Sequence, residues 1–435
     1  LEIVLTLAYT AIFIFLISKM RFFGIEGISI KSLQLVFLLK VFSGFILSLI
    51  YTYYYTDRLY ADCFKFYDDS KVIYDMFFTD KKTFWQFMIG LPHDNDVYMN
   101  YSNVMHNWWN RYNLYNENRT IIRLNVAMRF VSMGYYQVHN VFFCFLSFTG
   151  LVAIAKLFLK ELRDFKRLIF IFVFLFPSII FWGSGVLKDG LILFCSGTAL
   201  YFMDKFCTDM NKKFYDLILS ICFLILLLFV KVHVFFIFLP CYIAYSLSIK
   251  SGKHIAFKFI ITAVLFFIFL LSVPLFSRNI NFLQYLAVKQ GEFIRLAEEV
   301  KAGSAIYIHP LQPDIGSLIK NSPVAFYNTM FRPNLLDSHS PFILLSALEN
   351  FFIICFGIVA LLSITIKKIK FTPMFYFSVI YVVALFVLVG LITPVMGAIV
   401  RYKIQGLPFL FFIFLALMDK EKLVKKIPFL KSVIN

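Results

Sequence analysis

The sequence predicts an all-α, polytopic membrane protein of about eleven transmembrane helices, and two observations predict it. Hydrophobic residues fill 60% and aromatic residues 20% of the 435 positions, and mean hydropathy is +0.79; a soluble domain is typically about half apolar. Apolar runs of about 18 residues or more recur along the chain, continuous rather than alternating. Continuous runs make spanning helices, whereas the strands of a membrane barrel alternate. No internal repeat is visible, which counts against a transporter built from duplicated halves. The chain therefore reads as a single integral membrane domain over residues 1–435.

The expected spans are 2–18, 34–52, 139–159, 168–183, 188–204, 215–231, 233–248, 255–275, 344–366, 372–392 and 404–418. The first run, "LEIVLTLAYTAIFIFLI", lacks the basic start and small-residue cleavage site of a signal peptide, so it is read as a retained span. The basic segments "SKMRFFGIEGISIK" (18–31), "KLFLKELRDFKR" (156–167), "DKFCTDMNKK" (204–213), "SIKSGKH" (248–254), "KKIK" (367–370) and "DKEKLVKK" (419–426) all fall on one side of such a layout. The positive-inside rule makes that side cytoplasmic. These loops carry most of the net charge of +17, so nucleic acid is not an expected partner. The seven cysteines lie mostly in spans, with Cys63 alone in a long loop and no CxxC, so neither a disulfide framework nor a zinc site is expected.

Two long external loops follow from the same layout, 53–138 and 276–343. The first is too aromatic for a disordered linker. Its segments "KVIYDMFFTDKKTFWQFMIG" (71–90) and "RTIIRLNVAMRFVSMGYY" (119–136) mix apolar and basic residues at helical spacing, and read as amphipathic helices on the membrane surface.

Most unusual polar residues gather on the external side. Asp68 and Asp69 in "YADCFKFYDDSKVIYD" (60–75) stand just before the first amphipathic segment. Two roles are open to them: helix capping, or a general base acting on an acceptor hydroxyl. "FPSIIFWGSGVLKDG" (176–190) ends in Lys188 and Asp189. These are a local ion pair, or a snorkelling lysine with Asp189 as N-cap, or an anion site in which Gly183, Ser184 and Gly185 leave room for a close backbone approach. Lys231 and His233 interrupt the apolar stretch 217–247. An uncompensated lysine at mid-membrane costs roughly 2.5–3.5 kcal/mol, so a turn at Lys231 in a tight helical hairpin is expected. Arg332 precedes Pro333 and should sit in an extended or turn segment. Glu349 lies inside a span and needs a partner, for which Arg332, Lys231 and Arg401 are candidates. Arg401 and Lys403 in "TPVMGAIVRYKIQGLPFL" (393–410) open the last span, and arginine suits a phosphate because its planar fork donates two parallel hydrogen bonds. Apart from Lys231, His233 and Glu349, the span interiors read as nearly free of charge. Basic residues on the external side call for a local anion, and the phosphate or diphosphate of a lipid carrier is the natural one.

On these stretches the chain resembles the GT-C superfamily of membrane glycosyltransferases. The features that carry the resemblance are an acidic first external loop ("FYDDSKVIYD"), the surface helices after it, and a many-span body. "FPSIIFWGSGVLKDG", "RPNLLDSHSPFILLSALEN" and "GAIVRYKIQGLPFL" look like segments of bacterial members of this class and of polysaccharide-polymerase-like proteins, and suggest a Bacteroidetes-type source. The resemblance implies transfer of a sugar from a polyprenyl-phosphate-linked donor to a glycan, lipid or protein acceptor. It places the active site on the periplasmic or outer face of the plasma membrane. It also implies that Asp68 or Asp69 is the catalytic base, while Lys188, Lys231, His233, Arg332, Arg401 and Lys403 bind the lipid phosphate and Asp189 and Glu349 support them. No cofactor is indicated. Asp68 and Asp69 with His93, Asp94 or His106 are candidates for a divalent metal, at a spacing that is not diagnostic. The competing readings are a polysaccharide polymerase or ligase of the O-antigen type, with its key arginines in 276–343, and a transporter or flippase for lipid-linked oligosaccharides.

Overall fold

The computed structural model describes residues 1–55, 58, 61–90, 95–106, 108, 116–210, 213–276, 281–338 and 340–426. It is 82% helix and has no strands among the described residues, so the all-α class holds.

Along the chain, α1 (Glu2–Lys19) and α2 (Ile30–Tyr53) are followed by four helices in the first expected loop: α3 (Asp62–Thr79), α4 (Lys81–Ile89), α5 (Asn95–Ser102) and α6 (Glu117–Ser132). Next come α7 (Tyr136–Glu161), α8 (Lys166–Phe170), α9 (Pro177–Trp182), α10 (Lys188–Thr208), α11 (Phe214–Val230), α12 (Val232–Ser251) and α13 (Ile255–Phe276). The second expected loop contains α14 (Phe282–Glu299) and α15 (Ile315–Phe331). The chain continues through α16 (Pro341–Leu362), α17 (Pro373–Ile392), α18 (Met396–Lys403), α19 (Leu407–Leu417) and α20 (Lys420–Lys426).

Among the described residues, eight helices are long and apolar enough to cross a membrane: α1, α2, α7, α10, α12, α13, α16 and α17. This is the make-up of a polytopic membrane protein. Three expected spans are not among these eight. α18 and α19 meet at a 64° bend, and α11 has only 17 residues, a rise of about 26 Å against a hydrocarbon core of about 30 Å. Residues 168–183 are not one helix, because a π-helical turn at Ile171–Leu175 and extended Phe176 separate α8 from α9.

The amphipathic segments also differ in detail. Residues 71–90 belong to two helices. Asp80 leaves the helical region at φ −144°, and its carboxylate accepts from Thr83 N at 3.1 Å, capping α4. Gly90 ends α4 in the left-handed region at φ 83°, where a residue without a Cβ costs least. The second segment is α6, which begins two residues earlier than expected and ends at Met133 (φ 53°) and Gly134 (φ 73°).

The chain divides into two compact units. The first comprises Leu1–Ala153, Ile180–Ala199 and Leu219–His233. Its membrane helices approach closely at glycines. A Cβ on Gly150 would sit 2.2 Å from Leu193 O, and one on Gly44 would sit 2.9 Å from Gly185 N. Lys40, fully buried in the middle of α2, donates to Gly183 O at 2.9 Å. Two sequence readings are corrected here. A span interior expected to be nearly uncharged holds a lysine, and the room left by Gly183 and Gly185 is filled by α2. In the same unit, α3 packs on α6 through Tyr74, Phe77 and Phe130.

The second unit comprises Ile154–Ile179, Leu200–Ile218 and Val234–Asn435. α15 lies directly on α17: a Cβ on Gly390 would meet Ala325 O at 2.0 Å, and Thr329 Oγ1 donates to Phe386 O at 2.7 Å. Gln290 of α14 ties the segment before α15 to the end of α17, donating to His309 O and Leu391 O and accepting from Leu311 N. Phe172 stacks on Phe411 at 4.2 Å.

Candidate functional site

In the first unit, the helical face of α3 decides the fate of the acidic pair. Cys63, Phe66, Asp69, Ile73 and Met76 recur every three or four residues and are buried. Asp68 and Asp69 lie in the second turn of α3 rather than before a helix, because this apolar series starts well ahead of residue 71. Capping is therefore not their role; Asp80 performs it one helix later. Neighbours on a helix point about 100° apart, so the two carboxylates separate. Asp68 faces outward and forms a two-point pair with Arg58, at 2.8 and 2.7 Å. Asp69 is 1% exposed. Its Oδ1 accepts from the backbone N of His106 at 3.0 Å and faces His106 Nδ1 at 2.7 Å, while its Oδ2 has no hydrogen-bond partner among the described residues. Burial pushes the Asp69 carboxyl above its ordinary range, and the bonds from His106 pull the other way.

His106 leads on to a second group of residues. Its ring lies 6.0 Å from that of Trp108, which packs on Phe66. The Trp108 carbonyl accepts from Arg119 Nε at 3.2 Å. Arg119 belongs to the first turn of α6, and the same turn carries Glu117 and Asn118. Lys188 Nζ donates to Glu117 Oε1 at 3.0 Å and to Asn118 Oδ1 at 2.7 Å. The other oxygen of Glu117 accepts from Val232 N at 3.4 Å. Lys231 is the single residue between α11 and α12, as a turn there requires, and both it and His233 are 5% exposed. Lys188 and the Lys231 turn thus meet at one carboxylate. Lys188 finds its partner 71 residues away, and Asp189 sits in the first turn of α10 rather than at its cap.

The far end of α6 anchors the layer. Arg129 donates to Ser70 Oγ at 2.7 Å and to Tyr67 O at 2.6 Å, and burial pulls its guanidinium below the usual range. His139 lies 2.7 Å from both Asn125 Oδ1 and Ser132 Oγ, a wholly buried link between α6 and α7.

In the second unit, Arg332 is extended (φ −110°, ψ 151°), as expected before a proline, and pairs with Asp337 at 2.9 and 3.2 Å. Glu349 does not take Arg332, Lys231 or Arg401 as its hydrogen-bond partner. Its Oε2 accepts from Ser178 N at 2.9 Å, in the first turn of α9, and Lys403 is the cation that acts on it. Lys403 Nζ donates to Asn350 Oδ1 at 2.8 Å, and Asn350 Nδ2 reaches Pro333 O. Arg332, Glu349 and Lys403 therefore gather around Asn350. Arg401 is 9% exposed within α18.

The sequence reading missed Glu117, Asn118, Arg119, Lys40 and Asn350. A signal existed for the first three: Asn116 caps α6 and is followed by Glu117 and then by Ile121 and Ile122, a helix start. Nothing in the sequence marks Lys40 or Asn350 apart from their polarity. Of the candidate metal ligands, His93 and Asp94 lie outside the described residues. Among the described residues, no three His, Cys, Asp or Glu side chains gather. Comparison with protein-family models, with curated proteins and with solved structures finds no match to this chain.

Proposed function

We propose that the protein transfers a sugar from a polyprenyl-phosphate-linked donor to a glycan, lipid or protein acceptor on the non-cytoplasmic face of the plasma membrane. The observation that carries this reading is Asp69. Its carboxylate is buried in a folded layer of short helices, keeps one oxygen without a partner among the described residues, and pairs through the other with a histidine. Leaving a buried acceptor unsatisfied costs about 1–3 kcal/mol, more for a charged group, and active sites are where such a cost is retained. The reading assigns the base function to the Asp69 centre. Lys188, paired with Glu117, and Lys231, in the turn whose next backbone N–H reaches the same carboxylate, are assigned to the phosphate that leaves. His233 completes the phosphate candidates of the first unit; in the second unit, Arg332 and Lys403 are committed to Asp337 and Asn350. In membrane terms the reading counts α11, the broken α8–α9 segment and the bent α18–α19 pair as spans. That makes eleven, with the basic segments cytoplasmic and α3–α6 outside.

One observation favours the polymerase or ligase reading: the Lys188 ammonium and the backbone of the Lys231 turn centre on Glu117, while the Asp68 carboxylate is taken by Arg58. A single experiment separates the two. The full chain in lipid nanodiscs is given short-chain prenyl-phosphate hexosides or prenyl-diphosphate oligosaccharides, and release of the prenyl carrier is followed. Asp69→Asn should lower turnover from the monophosphate donor by about 10²-fold or more, while Asp68→Asn stays within about tenfold. Release from the diphosphate donor alone, unaffected by Asp69→Asn, would move the assignment to the polymerase or ligase class.

A further inference from the structure

Asp69 is almost fully enclosed, whereas its partner is not: the His106 side chain is 24% exposed. A carboxylate oxygen only accepts, so the ring nitrogen 2.7 Å from Asp69 Oδ1 is the one that carries the proton. This fixes the tautomer. Nδ1–H points inward and the lone pair of Nε2 is left on the other edge of the ring. The backbone N of His106 bonds to the same oxygen at 3.0 Å, so main chain and ring are held together against α3. Trp108, which packs on Phe66 of α3, flanks the ring on one side. Asp69 Oδ2 has no donor among the described residues, so the carboxylate charge is not drawn off to another partner there. It stays available to stabilise an imidazolium, as the third member of a nucleophile–base–carboxylate set does.

We propose that Nε2 of His106 is the atom that takes the proton from the acceptor hydroxyl, and that Asp69 is a positioning residue acting through it. This deepens the transfer reading above and rests on it. In the step, the acceptor oxygen attacks the anomeric carbon while its proton passes to Nε2. A carbon–oxygen bond forms there, and the bond from that carbon to the phosphate oxygen breaks, its electron pair leaving with the prenyl phosphate. The proton on His106 is then lost to water. Among the described residues, the charged and titratable groups around this centre include Asp69 itself, the neighbouring Asp68, Lys65, whose ammonium lies 5.4 Å from the Trp108 ring, and Arg119, which donates to the Trp108 carbonyl.

Asparagine and alanine at position 106 test the assignment. In the His106→Asn protein the introduced side-chain amide N–H reproduces Nδ1–H toward Asp69, and nothing replaces Nε2. His106→Ala leaves a space that free imidazole can enter. With the full chain in nanodiscs and the same short-chain prenyl-phosphate hexosides, His106→Asn should lose about 10²-fold or more of prenyl phosphate release. His106→Ala should recover about tenfold on addition of imidazole, and Asp69→Asn should not. Recovery by imidazole is a readout that a purely structural histidine would not give, and it stands even if His106→Asn folds poorly. If His106→Asn releases at the wild-type rate while Asp69→Asn is inactive, the base is Asp69 and the inference is overturned with the transfer reading intact. If both Asp69→Asn and His106→Asn release prenyl phosphate normally, the inference is overturned and the Asp69 centre is not the base; if the wild-type chain releases it from no donor, the transfer reading falls and the inference with it.

Discussion

The two clusters of candidate-site charges, one in each unit, are neutralised by different means. In the first, ions are matched with ions from distant parts of the chain: His106 with Asp69 across 37 residues, Lys188 with Glu117 across 71. In the second, Arg332 and Asp337 are five residues apart, Lys403 meets a neutral amide and Glu349 accepts from a backbone N–H. The difference lies in what the fold brings to each charge: an opposite charge in the first cluster, a neutral group in the second, apart from the local Arg332–Asp337 pair. A local pair forms as soon as its turn forms. A pair joined across 71 residues exists only when the fold is complete, and losing one member leaves the other stranded.

The largest test of this contrast is Glu117→Ala. It leaves Lys188 buried without its counter-charge and should cost about 3–5 kcal/mol, whereas the double change Glu117→Gln with Lys188→Met should recover most of that. Thermal unfolding in a fixed detergent would show it; a single variant no less stable than the double would mean that the pair holds no buried charge. Next, Gly150→Ala and Gly390→Ala ask where the units resemble each other. Each added Cβ meets backbone, Leu193 O at 2.2 Å or Ala325 O at 2.0 Å, so both should lose about 1–3 kcal/mol or more by the same measurement.

The third prediction concerns acid. Burial raises the Asp69 carboxyl above its ordinary 3.8, so the folded chain keeps that proton to a higher pH than the unfolded chain does. Its contribution is fully present below 3.8 and is lost as pH rises through the raised value. Asn cannot titrate. The stability of wild type relative to Asp69→Asn should therefore decline from acid toward neutrality, and melting curves that stay parallel across that range would remove the claim that burial dominates at Asp69. The smallest effect is expected at Arg332→Gln: the arginine side chain is 30% exposed and its partner local, so the loss should stay within about 1 kcal/mol.

The helical class was legible because a membrane span writes itself as one uninterrupted apolar run. The breaks within spans were not. Phe176 ends a π-helical turn among residues as apolar as any in α7, and only the proline after it hints at a stop. The choice between Asp68 and Asp69 was legible in principle, since Cys63, Phe66, Ile73 and Met76 already define a face that includes only Asp69. It was obscured by starting the helix at residue 71. Lys40 was illegible for a different reason: its partner is the carbonyl of Gly183, a group every residue possesses. The Glu117–Lys188 pair shares that difficulty, since either residue alone looks like an ordinary helix-start charge.

The Glu117 carboxylate joins three parts of the chain that are made at different times. It leaves the ribosome first, Lys188 follows after 71 residues, and Val232 N, its last partner, after 115. At about 5–20 residues per second, the interval before the third partner exists is on the order of ten seconds. Through that interval Tyr74, Phe77 and Phe130 can already hold α3 on α6, while the first turn of α6 waits for its last contact. A chain stalled before residue 232 would then carry a packed α3–α6 pair whose Glu117 carboxylate is only partly satisfied.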